Sequence, residues 1–98
     1  HRAVTHIKSN YRSDISIDEL IKLVGMSSSS FHVHFKRITK TTPKKMQRDL
    51  RLMEVRDRLR VTRETVSTLA FDVGYNSLAH LSKEYKSKFG KSPLQDRI

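Results

Sequence analysis

Residues 17–43 read IDELIKLVGMSSSSFHVHFKRITKTTP, and residues 66–93 read VSTLAFDVGYNSLAHLSKEYKSKFGKSP. The two stretches carry one pattern. Ile17, Leu20, Val24, Gly25 and Met26 return 49 residues later as Val66, Leu69, Val73, Gly74 and Tyr75. Each copy continues to an aromatic followed by lysine, Phe35-Lys36 or Tyr85-Lys86, and stops at Pro43 or Pro93. The offset grows from 49 to 50, so the second copy has one extra residue after its turn. Apolar spacing at helical period, a glycine, and a second helical stretch make a helix-turn-helix pattern. The chain contains it twice.

Working outward, Val4, Ile7 and Tyr11 predict a first short helix over residues 2–11. Ser16 and Glu19 have capping-box spacing ahead of the second helix, whose inner face is Ile17, Leu20, Ile21 and Val24. Gly25 suits the left-handed position that ends it. Ser27 is placed to cap a third helix, over about 28–39. Phe31, Phe35 and Ile38 form its inward stripe, and Ser29, His32, Val33 and Lys36 lie on or beside the opposite one. Thr42-Pro43 opens a long helix reaching about Arg60. Its apolar residues Met46, Leu50, Met53 and Leu59, with Leu52 and Val55 displaced around the axis, give it two apolar sides. Thr65 caps a fifth helix that ends at Gly74. Asn76 is placed to cap a sixth, with Leu81, Tyr85 and Phe89 inward. Gly90 ends it, and Ser92-Pro93 starts a short last one. The expected fold is all-α, with about seven helices. The expected division is a first unit over 1–41, a linking helix over 42–61 and a second unit over 62–98.

The chain has 98 residues, with 20 Lys+Arg against 10 Asp+Glu and a net charge of +10. Both halves are basic: residues 1–49 hold 10 basic and 4 acidic side chains, and residues 50–98 hold 10 and 6. A polyanionic partner is expected. Cysteine is absent, which excludes disulfides, cysteine zinc fingers and thiol nucleophiles. No apolar run approaches the ~20 residues of a membrane span. No hydrophobic signal segment opens the chain, and the expected location is the cytoplasm. The chain begins at His1 rather than Met, so it is expected to be a fragment or a processed product.

Leu69-Ala70, Gly74-Tyr75, Ser77, Leu81-Ser82-Lys83, Tyr85-Lys86, Phe89-Gly90 and Ser92-Pro93 together resemble the AraC/XylS family of bacterial transcription regulators. Met26-Ser27, Ser29, Phe31, Phe35-Lys36, Pro43, Arg51-Leu52 and Leu59 extend the resemblance over almost the whole chain. It implies two helix-turn-helix units on a rigid linking helix. It also implies double-stranded DNA as partner, RNA polymerase as a second one, and a separate N-terminal sensing or dimerising domain. The fragment itself is expected to be monomeric. There are departures. His80-Leu81 stands where the family usually has two aromatics, Lys83 replaces an arginine, Val55 replaces an alanine, and Asp96-Arg97 replaces an aromatic-Arg pair.

By this resemblance the base-facing positions are Ser29, His32 and Val33 in the first unit and Leu78, Ala79 and Lys83 in the second. Lysine reads guanine O6 and N7, histidine donates or accepts, and apolar side chains meet a thymine methyl. None of the six is an arginine. Lys36, Lys40, Lys44, Lys86 and Lys91 follow the recognition helices and are candidates for phosphate contacts. Ser27 and Ser77 join them because free N–H groups at helix starts attract anions.

Other chemistry finds little support. His32 and His34 are two apart and do not share a helix face, so a metal site is not expected. No arrangement of nucleophile, base and oxyanion donors is present, and no phosphate-cradling glycine loop, so neither an enzyme nor a cofactor is expected. The reading is sequence-specific DNA binding by a bacterial transcription regulator, which the resemblance implies to be an activator. Its rivals are a nonspecific nucleic-acid binder and a basic helical module that docks an acidic protein.

Overall fold

The computed structural model describes residues 1–97. Among them the chain forms seven α-helices and no strand: α1 (Arg2–Asn10), α2 (Ile17–Val24), α3 (Ser28–Thr39), α4 (Pro43–Val61), α5 (Val66–Asp72), α6 (Leu78–Phe89) and α7 (Pro93–Asp96). They group into two compact units, His1–Asp49 and the residues from Leu50 onward, and the division falls within α4.

The first unit buries Ala3 and Ile7 of α1, Leu20 of α2, and Phe31 and Phe35 of α3. Phe31 and Phe35 are one helical turn apart, with ring centroids 5.7 Å apart. Val4 and Tyr11, expected in the core beside Ile7, are half-buried, and Ala3 takes the inner position. Small residues carry little apolar signal, so periodicity passed over it. Gln47 of α4 donates to the carbonyls of Tyr11 (3.2 Å) and Ser13 (2.7 Å), tying the α1–α2 loop to the start of α4.

The second unit has the larger core. Leu52, Val55 and Leu59 of α4 pack with Val66, Leu69 and Ala70 of α5, with Val73 and Tyr75 of the turn, and with Leu81 and Tyr85 of α6. Phe89 lies partly buried against them, and its ring is 4.6 Å from that of Tyr85. The residues read as displaced around the long helix, Leu52 and Val55, are therefore its buried face here. Met53, read as part of an apolar side, is 52% exposed. Ile38, expected inward, is 54% exposed. It shares the face of Phe31 and Phe35 but lies in the last turn of α3. Periodicity identifies a helix face but not how far along it the core extends.

The caps are local and mostly as expected. Ser16 accepts from the Glu19 amide at 3.3 Å, Ser27 from Ser30 at 3.3 Å, Thr42 from Lys45 at 3.2 Å and Thr65 from Thr68 at 3.1 Å. The complete reciprocal capping box is at Ser92–Gln95. The sixth helix is capped by Ser77, which accepts from His80 at 3.1 Å, and not by Asn76.

That shift follows from the turns. Residues 25–27 join α2 to α3, whereas residues 73–77 join α5 to α6. Gly25 is left-handed (φ 69°) and its N–H donates to the Ile21 carbonyl at 3.0 Å. In the second unit Val73 is the C-cap, and Gly74 (φ 107°) comes one residue later. There Tyr75 N–H donates to Ala70 O at 2.9 Å and Gly74 N–H to Phe71 O at 3.1 Å, a Schellman closure. The longer closure moves the next cap to Ser77.

Candidate nucleic-acid interface

In each unit the turn delivers a twelve-residue second helix, α3 or α6, with its aromatic or leucine stripe inward. Phe31 and Phe35 fix the roll of α3; Leu81 and Tyr85 fix that of α6. Whatever lies opposite must face solvent. Ser29, His32 and Val33 are exposed, as are Leu78, Ala79 and Lys83. Val33 is 68% exposed, a large uncovered area for an apolar side chain. His32 packs its ring edge-on against Phe31 with centroids 5.4 Å apart. It therefore flanks the outward stripe rather than standing at its centre.

The seven candidate phosphate residues, Ser27, Lys36, Lys40, Lys44, Ser77, Lys86 and Lys91, are also exposed. The Ser27 and Ser77 oxygens accept helix amides, which leaves each hydroxyl proton able to donate to an anion. Lys40 occupies a left-handed C-cap (φ 64°), the place that Gly90 (φ 79°) takes in the second unit.

Electrostatics sharpen the picture. α3 contains no acidic residue, and α6 contains one, Glu84. The Tyr75 hydroxyl donates to Glu84 Oε1 at 2.6 Å, and His80 Nε2 lies 3.5 Å from Glu84 Oε2. Elsewhere in the second unit, Glu54, Glu64, Asp72 and Asp96 pair with arginines of the same unit. Arg58 donates to Glu64 (2.5 and 3.1 Å), Asp72 (2.8 Å) and Glu54 (3.0 Å), joining α4, the α4–α5 loop and α5. The hydrogen bonds to Glu64 and Asp72 raise the Arg58 pKa, and the Arg58 hydrogen bond holds Glu64 below the usual carboxylate range. Asp96 is buried, accepts from Tyr85, and lies 3.5 Å from Arg56 and 3.8 Å from Arg60. Sequence reasoning missed these clusters because their partners are 4 to 40 positions apart with no shared period.

It also missed Arg37. Arg37 is exposed on α3, eight residues after Ser29 and four after Val33, and one of its guanidinium nitrogens lies 3.0 Å from His34 Nδ1. The signal was present, since residues four apart share a helix face. His32 and His34 point to different surroundings: His34 is half-buried, bonded to Arg37 and stacked on His1. Among the described residues no three His, Cys, Asp or Glu side chains stand together as a metal site. No helix among them is long and apolar enough to cross a membrane.

Two helix-turn-helix units, each exposing a second helix poor in acid and followed by lysines, define a double helix-turn-helix protein. A helix-turn-helix domain family model matches residues 20–97. The chain belongs to the AraC/XylS family, whose members are transcription regulators and not enzymes. It is 32% identical over 95 residues to XylDLEGF operon transcriptional activator 1 of Pseudomonas putida, covering 94% of this chain and 29% of that one. The chain thus spans under a third of that relative's length. A transcriptional regulator of Chromobacterium violaceum, described as AraC-type, superposes with a TM-score of 0.86 at 28% identity, covering 97% of this chain and 85% of that one. The DNA-binding domain of AdpA, solved in complex with a target DNA, shares the fold at 20% identity and a TM-score of 0.87, covering 98% and 86%.

Proposed function

We propose that this chain is the DNA-binding part of a bacterial transcription regulator that binds specific double-stranded DNA through α3 and α6. The observation that carries the reading is the outward face of those two helices. Both are exposed, α3 has no acid, and the one acid of α6 is engaged by Tyr75 and His80. In this reading Ser29, His32, Val33, Leu78, Ala79 and Lys83 meet base edges. Ser27, Lys36, Lys40, Lys44, Ser77, Lys86 and Lys91 meet phosphates. Phosphate contacts supply most of the affinity and base contacts choose the site. Residues 1–41 and 62–98 act as two heads in adjacent major-groove segments, with residues 42–61 as the helix that links them. The similarity to a protein named as an activator favours activation, with RNA polymerase as protein partner and the cytoplasm as site of action. The greater length of that relative favours a further domain in the whole protein; in this reading the present part is monomeric by itself.

Selection of bound sites from random DNA tests the reading, together with a salt titration of the selected site. A defined motif in two parts is expected. For about six neutralised phosphates, log K falls against log salt with a slope of roughly −5. Binding without sequence preference would make the chain a nonspecific binder. No DNA binding even at low salt would favour the acidic-protein partner.

A further inference from the structure

We infer that Arg37 is a base-reading residue of the first unit, directed at a guanine, and that His34 positions it. The inference rests on the DNA-binding reading above. Ser29, Val33 and Arg37 follow one another at four-residue intervals along the exposed face of α3. Helical side chains lean toward the N-terminus, so the long Arg37 side chain lies back over the turn that carries Val33 and His34. The structure agrees. Met26, Ser29, Ser30, Val33, His34 and Arg37 line one shallow concavity, so Arg37 borders the same surface as Ser29 and Val33.

The contact with His34 gives the arginine a defined direction. A guanidinium only donates, so in the 3.0 Å contact His34 Nδ1 is the acceptor. His34 is itself held, half-buried and stacked on the His1 ring at 5.9 Å. Arg37 lies within 4.0 Å of no carboxylate among the described residues, so its remaining N–H groups have no acidic competitor. A forked donor at the edge of an exposed, acid-free helix matches the O6 and N7 acceptors of guanine. The two copies differ along this stripe. In α6 the corresponding stripe is Ala79, Lys83 and Ser87, with its one cation in the middle. In α3 the middle position is the apolar Val33, and the cation stands one turn later as Arg37.

Sites are selected from random DNA with the wild-type chain, Arg37→Ala, Arg37→Lys, His34→Asn and His34→Leu, after circular dichroism has established that each variant folds. The wild type is expected to select a guanine in the half bound by the first unit. Arg37→Ala should lose preference at that position alone, with roughly a tenfold loss for the guanine-containing site and little change for sites lacking it. Arg37→Lys should recover only part of the preference. His34→Asn retains an acceptor near the Nδ1 position and should retain the preference; His34→Leu should weaken it at the same base pair. An Arg37→Ala variant that binds all sequences more weakly while keeping the motif would place Arg37 on a phosphate and overturn the assignment. Loss in His34→Asn equal to that in His34→Leu would overturn the positioning role. A wild type that selects no motif would instead remove the DNA-reading proposal on which this one stands.

Discussion

The Tyr85 hydroxyl donates a 2.5 Å hydrogen bond to Asp96 Oδ2, and both groups are buried. Tyr85 is the aromatic that sets the roll of α6, and Asp96 ends α7. The bond therefore fixes the proposed second recognition helix to the end of the described chain. Arg56 and Arg60 of α4 approach the same carboxylate, and Arg97 donates to the Glu64 carbonyl. Asp96-Arg97 was a departure from the family pattern in sequence, and in the structure both residues make polar contacts within the second unit.

Removing the hydroxyl should destabilise that unit. Tyr85→Phe keeps the ring but leaves the Asp96 acceptor short of a buried donor, an effect of about 1–3 kcal/mol. Asp96→Asn should lower the thermal midpoint in the same direction, because Arg56 and Arg60 lose their countercharge. Thermal unfolding followed by circular dichroism at neutral pH measures both, and an unchanged midpoint for Tyr85→Phe would mean the bond contributes nothing. The pH profile gives a second readout. Asp96 titrates below the usual carboxylate range, first because Tyr85 donates to it, and Glu64 does so first because Arg58 does. When unfolded they take up protons near ~3.9 and ~4.3. Their contribution is therefore present above about pH 4–5 and lost as pH falls through the lower folded values. Burial, then Asp96, raises the Tyr85 pKa, so its contribution is present below its unfolded value of ~10 and falls as pH rises beyond it. Asp96→Asn should flatten part of the acid limb, and Tyr85→Phe the alkaline one.

Three positive-φ positions should respond differently to substitution. A Cβ at Gly25 would meet nothing within 4 Å, so Gly25→Ala should cost only the conformational term, about 1–2 kcal/mol. Gly74 lies at φ 107°, outside the small left-handed region of other residues, and Gly74→Val should cost more. Lys40→Gly relieves a lysine held at φ 64° and should stabilise the first unit by roughly 0.5–1 kcal/mol. Thermal midpoints rank the three. If Lys40 also meets phosphate, the stabilised Lys40→Gly variant should bind DNA more weakly with a salt slope about one unit shallower.

His32 and Lys86 separate base reading from phosphate contact. His32→Ala should relax preference at one position by about 1 kcal/mol, the low end for a base contact, because the ring stands at the flank of the stripe against Phe31. Lys86→Ala should weaken every sequence alike and reduce the salt slope by about one. A panel of single-base operator variants measures both. Equal loss on all sequences for His32→Ala would move the base contact to Ser29 or Val33.

By itself, the sequence determined the helices and their order. Helical period, the caps Ser16, Ser27, Thr65 and Ser92, and the glycines at 25, 74 and 90 act within one turn of the chain, so they are legible without a fold. The repeat determined that there are two helix-turn-helix units and, through Phe31, Phe35, Leu81 and Tyr85, which faces of α3 and α6 are buried. Tertiary structure decided what depends on residues distant in the chain. It placed Ile38 and Met53 in solvent although their spacing is apolar, because burial needs a partner as well as a face. It moved the cap of α6 to Ser77, because the longer turn closes through Ala70 and Tyr75. It gathered Glu54, Glu64 and Asp72 on Arg58, and Asp96 on Tyr85, Arg56 and Arg60. Charge counts give the sum of the basic and acidic groups, but the neutralising pairs are chosen by packing, which in the second unit engages Glu54, Glu64, Asp72 and Asp96 with groups of the same unit.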